Sequence, residues 1–508
     1  MPNLYTSLLA RRIGTGTLAP KEQRLPIPKK TELLSQDKFN ELIFDEHRGV
    51  LAEIVGIAPP TRSIGIIGAG LAGLSAAYEL RRRGYSVSIF EASERPGGRT
   101  WARHHLVKRH VMDGGAELIG SNHPLWLNYA DTFRLGFSDV KEYDNCPILL
   151  GKKLLSPRRE DSLLKQMDKA LDYISSRAKK IVDPFAPWTD PRGPALDRRN
   201  VHEFVTGTSW SRLCKIAVLQ QLESDNGVLA KNQSLLGLLA MVKGGGAERY
   251  WLDTEVYRCK RGTQALSFAF EAALRGMDTS INYDRPVSKI DATGEKVKLV
   301  TGHTGSPSEF DDVILAIPPS TWPKISTWLP DDLSSFIGAP PQMGKNIKGL
   351  MSFRRRYWKK QGWAPSSTEN GPVDQTWETT ESYSNPDFGM VAFSGAVHAD
   401  ELSQLADPAA QASVITNLER VYKSTRANLV GFEFVNWPTK PWAMASYSFP
   451  DCGDIMRWGP KFSEGYKGKI HFAGEHTCYA FTGYMEGALQ SGYRLARKLV
   501  FRDGTPWV

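Results

Sequence analysis

Along this 508-residue chain, short unbroken apolar runs alternate with stretches whose apolar residues recur at helical spacing. That alternation predicts strands buried on both faces of a parallel sheet and joined by amphipathic helices. Ile64, Ile66 and Ile67 form the first run. A glycine-rich turn, Gly68-Ala69-Gly70-Leu71-Ala72-Gly73, opens a helix, and Tyr85 to Phe90 predicts a second strand ending in Glu91. Asp312 to Ile317 is another run of buried-strand type, closed by Pro318 and Pro319. Helical spacing runs from Asp161 to Ile181 and stops at Pro184, Pro187 and Pro191; it also runs from Ser35 to Val55, ahead of Pro59 and Pro60. Tyr383 to Gly395 and Val430 to Ser448 read as strands of a second sheet.

Hydrophobic residues make up 41% of the chain, ordinary for a soluble protein, and the length predicts two intertwined domains plus an arm rather than one core. No apolar window is long enough to span a bilayer, so no membrane is expected as a partner. The net charge of +9 is scattered, with local clusters at Arg81 to Arg83 and Arg354 to Lys360. No reader motif accompanies it, which argues against nucleic acid, and Arg354 to Arg356 are expected to face solvent. Five cysteines, Cys146, Cys214, Cys259, Cys452 and Cys478, lie far apart without CxxC spacing. They suggest a reducing, cytoplasmic compartment and no metal site. The first residues lack a secretory apolar stretch, although the absence of an acid before Glu22 leaves a transit peptide open. A simple N-terminal arm is expected there, packed on the surface or on a second subunit in a homodimer.

The chemistry begins at the turn. Gly68 permits a tight bend, Gly70 lets a pyrophosphate approach the backbone, and Gly73 lets the helix pack on the strand, while the helix N-terminus offers free N–H groups. Glu91 follows Gly68 by 23 positions, near the separation of about 20 at which an acid accepts ribose hydroxyls. The chain then continues Glu91-Ala92-Ser93-Glu94-Arg95-Pro96-Gly97-Gly98-Arg99. This continuation resembles the flavin-containing amine oxidases, whose RxGGR segment lines the pyrophosphate and ribityl chain of FAD. The resemblance implies FAD as cofactor, with Ala69, Leu71, Ala72, Ala92, Gly98 and Arg99 joining the three glycines and Glu91 in holding it.

Further matches extend that likeness. The segment from Val111 to Pro124 corresponds to the one that passes the flavin ring, which implies cofactor contacts at Gly115 and Ala116 and puts Leu118 toward the substrate. Many family members that oxidise L-amino acids carry an arginine at that position; leucine points to an amine without a carboxylate, or to carboxylate recognition by another residue. Glu117 is expected in the substrate pocket, bound to cofactor or a cationic substrate, or else in a buried salt bridge. His123, ahead of Pro124, reads as structural. Pro286 to Ile290 resembles the strand that meets adenine through the backbone of Val287. A gapless alignment closing on Trp358 puts the family's lysine, which holds a water against flavin N5, on Lys348. Without the resemblance, a lysine in a strand reads as a solvated edge residue.

Trp437, Ser446 and Tyr447 also match family positions. Covalently flavinylated members carry cysteine where this chain has Ser446, so noncovalent FAD is implied. Ser446 and Ala473 are 27 positions apart, the interval of the monoamine oxidases. Beyond it, Gly474 and Glu475 fall on the ribityl side, Gly483 lines the substrate space, and Tyr484 and Met485 open a helix whose dipole faces the flavin. Tyr447 and Tyr484 would form an aromatic cage for the amine. Lys348, Tyr447, Tyr484 and Trp437 are the implied catalytic residues.

The resemblance covers about residues 62–500. It implies an α/β fold: an FAD-binding Rossmann-like domain of the GR2 type, interleaved with an α+β substrate-binding domain and a helical insertion. The expected segments are an arm (1–60), FAD-binding parts (61–120, 244–320 and 451–508), a substrate and helical domain (121–243) and a substrate-binding domain (321–450). The implied activity is oxidation of the C–N bond of a primary amine or amino acid to an imine, which hydrolyses to a carbonyl product and ammonia while O2 becomes H2O2. The alternatives are an L-amino acid oxidase with a different carboxylate partner, a decarboxylating monooxygenase and, in another class, an FAD-binding scaffold without turnover.

Overall fold

The computed structural model describes residues 61–141, 143, 145–150, 153–302, 305–328, 340–381 and 387–504. The expected arm, with its helix at Ser35 to Val55, lies outside them. The glycine-rich turn joins β1 (Ser63–Ile67) to α1 (Leu71–Arg81), and β2 (Ser86–Phe90) returns beside β1 with Ser63 opposite Ser86 and Ile67 opposite Phe90. The chain continues through β3 (Leu118–Ile119), α2 (Pro157–Ala178), α3 (Arg212–Asn226), α4 (Leu235–Gly244), β4 (Tyr257–Cys259) and β5 (Ile281–Asn282). Then follow β6 (Asp312–Leu315), β7 (Asn346–Phe353), β8 (Gln375–Glu378), β9 (Phe388–Gly395), β10 (Leu429–Asn436), β11 (Ile470–Phe472) and α5 (Met485–Arg502).

A wholly parallel sheet in the order β5-β2-β1-β6-β11 carries the turn. Its unbroken apolar runs are buried on both faces. Ile64 and Ile66 pack with Leu74 and Leu80 of α1 and Leu489 and Tyr493 of α5, whereas Ile67, Val313 and Leu315 pack on the other side with Trp322, Trp458 and Phe462. The helices α1 and α5 cross so closely that a Cβ on Gly492 would stand 2.2 Å from the carbonyl oxygen of Ala72. Only glycine fits there. Across the sheet, Asp312 at the start of β6 accepts hydrogen bonds from His471 of β11 (2.9 Å), from Arg502 of α5 (2.8 and 2.9 Å) and from Arg62 (3.0 Å). These partners hold its carboxylate well below the usual range although burial pushes the other way.

The second sheet is antiparallel, in the order Ser367–Thr368, β8, β9, β7, β10. All eight residues of β7 are buried, and Lys348 lies opposite Phe393 of β9 and Val435 of β10. Lys348 is therefore on an interior strand, not a solvated edge. The strand expected from Val430 to Ser448 ends at Asn436: Pro438 and Pro441 cannot donate to a ladder, and Trp437–Thr439 turns as a single 3₁₀ turn. The strand expected from Tyr383 begins at Phe388, residues 382–386 lying outside the described set. Of the expected solvent-facing arginines, Arg354 and Arg355 are exposed, but Arg356 is drawn back onto the Glu378 carboxylate at 2.6 Å.

Helices α2, α3 and α4 enclose a core of their own around Leu171, Ile174, Val218 and Leu239. α2 begins at Pro157, four residues ahead of the expected Asp161, because proline at the first helical position forfeits no hydrogen bond. α3 ends at Asn226 with Gly227 in the left-handed region (φ 65°), which delivers the last turn of the helix to the gap between the two sheets. Among the described residues no helix is long and apolar enough to cross a membrane, and no acidic, cysteine and histidine cluster could hold a metal.

Candidate active site

One cavity of about 460 Å³ runs from the turn after β1 to the face of the second sheet. Its first half is shaped by backbone. Gly68 adopts φ +103°, and a Cβ on Gly73 would lie 2.1 Å from the Gly68 carbonyl oxygen, so both positions require glycine. A side chain on Gly70, by contrast, would meet only open space. α1 has no side-chain cap and no acid in its first turn, leaving its leading N–H groups and the positive end of its dipole to the cavity. Gly68, Gly70, Leu71, Ala72, Glu91, Ala92, Gly98, Arg99 and Val287 all line this half. Ala69 and Gly73 do not: the Ala69 N–H donates to Glu91 at 2.7 Å, and Gly73 packs inward on β1. Glu91 also accepts from the backbone N–H and hydroxyl of Ser93, at 2.9 and 2.7 Å.

The second half is walled by Gly115, Ala116, Glu117, Leu118, Lys348, Trp437, Tyr447, Gly474, Glu475, Gly483, Tyr484 and Met485. Trp437 donates its indole N–H to the Gly114 carbonyl at 3.0 Å. Glu475, fully buried, accepts from Arg99 (2.8 Å), from the Ser448 hydroxyl (2.6 Å) and from the Gly483 N–H (2.8 Å). Burial opposes the charge on Glu475, but Arg99 and these donors hold its pKa below the ordinary value. Tyr484 is the N-terminal cap residue of α5, whose first turn has no side-chain cap, so a second helix end points at the cavity.

Lys348 is buried, and its Nζ donates to Glu117 Oε2 at 2.9 Å and to the Asp113 carbonyl at 3.1 Å. Glu117 is clamped from its other oxygen by Arg258 (2.8 Å), and the Trp377 indole N–H reaches both oxygens at 3.1 Å. Arg258 pairs in turn with Glu381. Burial alone would raise the Glu117 pKa; the charges on Lys348 and Arg258 instead hold it down to about 2. The buried salt bridge expected for Glu117 is present, and Glu117 also lines the cavity. Neighbouring Asp113 is pushed up to about 7 by burial and by the charge on Glu117.

Tyr447 donates its hydroxyl to the Asp225 carbonyl at 2.5 Å, and the hydroxyls of Tyr484 and Tyr250 lie 3.0 Å apart. Burial raises the pKa of both cavity tyrosines well above the ordinary value, which keeps them neutral. His123 accepts from the Gly120 N–H at 2.9 Å and packs edge-on to Tyr484, its pKa lowered to about 3 by burial. It is buried and does not line the cavity. Sequence patterns did not single out Asp225, Asn226, Gln375, Trp377 or Phe393, all of which line the cavity. Only the close of α3 at Gly227 could have pointed to the first two; the others lie at ordinary strand positions.

Known proteins resemble this chain in sequence and in fold. The family described as flavin containing amine oxidoreductase matches residues 71–500. A flavin-containing amine oxidase of Oncorhynchus mykiss is 26% identical over 468 residues, covering 88% of this chain and 87% of the relative. Amine oxidase A of Equus caballus is 25% identical over 458 residues, with 86% and 84% covered. Among solved structures, putrescine oxidase bound to putrescine superposes with a TM-score of 0.78 at 22% identity, and cyclohexylamine oxidase from Brevibacterium oxydans with 0.75 at 20%; each likeness covers 87% of this chain and 99% of the other.

Proposed function

The chain belongs to the flavin-containing amine oxidoreductases, which use FAD, and on that premise we propose that it is an oxidase of primary amines rather than of amino acids. The residues present fit FAD: an open cradle over Gly70, two uncapped helix ends and the Glu91 and Glu475 carboxylates share one cavity. The glycine turn and Arg99 would hold the pyrophosphate, Glu91 the adenosine ribose, and Glu475 the ribityl chain. Ser446 spends its hydroxyl on Asn346 at 2.6 Å, and no cysteine lines the cavity, which supports noncovalent binding.

The chemistry FAD supplies when bound is acceptance of a hydride equivalent from the substrate α-carbon and delivery of both electrons to O2. Overall, R–CH2–NH2 + O2 + H2O gives R–CHO + NH3 + H2O2. The protein's part is binding and polarisation. Tyr447 and Tyr484, both lining the cavity, would receive the amine against their rings, and removal from water would favour its neutral form, whose lone pair the oxidation requires. Lys348, fixed by Glu117 and the Asp113 carbonyl, is a localised positive group for the negative charge that develops as O2 is reduced. Trp437, anchored to Gly114, keeps the cavity wall rigid.

The observation that carries this reading is Leu118, an apolar side chain that lines the same cavity as Tyr447 and Tyr484, at the position where a carboxylate would need a cation. Lys348, a buried cation of the same wall, is already committed to Glu117. Peroxide release from a panel of primary amines and L-amino acids tests it. Turnover of amines alone is expected; turnover confined to amino acids, abolished by esterifying their carboxylate, would favour the L-amino acid oxidase. The five cysteines, all free thiols, support a reducing compartment such as the cytoplasm.

A further inference from the structure

Asp225 lies in the cavity wall, on the last turn of α3, and the steps above give it no task. Its carboxylate accepts hydrogen bonds from the Gln221 side-chain amide at 2.8 and 2.9 Å and from that of Gln375 at 2.8 Å. Among the described residues no lysine, arginine or histidine forms an ion pair with it, and burial raises its carboxyl to about 6, still below neutral pH. Amide donors orient a carboxylate without neutralising it. The two other acids named in this half are different: Glu117 is clamped by Lys348 and Arg258, and Glu475 by Arg99. The Tyr447 hydroxyl donates to the backbone carbonyl of Asp225 at 2.5 Å, which brings this residue to the hydroxyl end of one of the two tyrosines that receive the amine, and its charge raises the pKa of Tyr447, Tyr484 and the neighbouring Tyr250.

We propose that Asp225 receives the second, distal ammonium of a diamine and so selects diamines over monoamines. The inference rests on the amine-oxidase reading and deepens it. The reacting nitrogen must be neutral to be oxidised, whereas a distal nitrogen can stay protonated and meet the carboxylate. A monoamine would leave that carboxylate buried opposite an alkyl end, which is unfavourable. An amino acid whose carboxylate pointed this way would be repelled.

The test measures kcat/KM by peroxide release for 1,4-diaminobutane, 1,5-diaminopentane, butylamine, pentylamine and N-acetyl-1,4-diaminobutane on the FAD-loaded enzyme and on Asp225→Asn and Asp225→Glu. A charge-assisted hydrogen bond made only by diamines predicts a preference of about 10- to 100-fold over the matched monoamine. Acetylation of the distal amine should abolish the preference in the unaltered enzyme, a readout that needs no variant. Asp225→Asn should collapse the diamine-to-monoamine ratio, chiefly through KM, and Asp225→Glu should restore part of it. Equal kcat/KM for diamine and monoamine in the unaltered enzyme, or a preference that survives Asp225→Asn, would overturn the role of Asp225 and leave amine oxidation standing. Oxidation of L-amino acids with no turnover of any amine would overturn both.

Discussion

A lysine amine held 2.9 Å from a carboxylate in a buried strand is costly to isolate and has few reasons to exist unless its charge is used. That is the position of Lys348. If it serves the oxygen step, Lys348→Met should slow reoxidation of the flavin by about 10²-fold or more while slowing its reduction by amine far less. Stopped-flow absorbance separates the two, and equal slowing of both would remove Lys348 from that role. Ser446 makes a second prediction at this scale. Acid precipitation should release all the yellow cofactor into the supernatant, and colour retained in the pellet would show a covalent link. Both residues were legible in the sequence because they sit in long gapless matches to a family. Asp225 was not, because the close of a helix in an inserted region follows no motif, and its significance comes from Gln375, Tyr447 and Tyr484, far away in sequence.

Among the elements, the strands and helix around the glycine turn emerge almost where their apolar pattern puts them, since a parallel strand buried on both faces leaves a run that little else explains. The errors fell where local pattern and tertiary pairing compete. Val430 to Ser448 has a strand-like composition throughout, yet the ladder stops at Asn436, where prolines remove the donors and the chain must turn to bring Ser446 and Tyr447 to the cavity. The surroundings of Lys348 were hidden for a related reason: strand order decides between edge and interior, and no periodicity reports strand order. The crossing of α1 and α5 gives an element-level prediction. Gly492→Val would drive a side chain into the Ala72 carbonyl, so a loss of roughly 2 to 3 kcal/mol in denaturant unfolding is expected. FAD content should fall in parallel, because the helix forced away is one whose N-terminus faces the cavity. Unchanged stability and FAD content would mean that the helices part without consequence.

For the whole molecule, Asp312 ties β6 to β11, to α5 and to Arg62 with a buried carboxylate. Its folded pKa is depressed, so its contribution is present above the unfolded value of about 3.9 and is lost as pH falls through that value toward the folded one. Asp312→Asn should therefore destabilise the protein by about 2 to 3 kcal/mol at pH 7, at or just below the roughly 3 to 5 kcal/mol of a broken buried pair because Arg62 and Arg502 are partly solvated. The difference from the unaltered protein should shrink as pH is lowered below 4. Urea midpoints at several pH values would show it, and a penalty independent of pH would assign the effect to packing.

The seam between Ala72 and Gly492 also has a bearing on biosynthesis. A ribosome that has delivered the chain only as far as residue 460 has released every phosphate-gripping glycine but neither Glu475 nor Tyr484, and the groove beside α1 is still missing its neighbour. Capture of the vitamin-derived cofactor must then await the final segment, so a transcript cut short before β11 would yield colourless polypeptide however intact its nucleotide fingerprint.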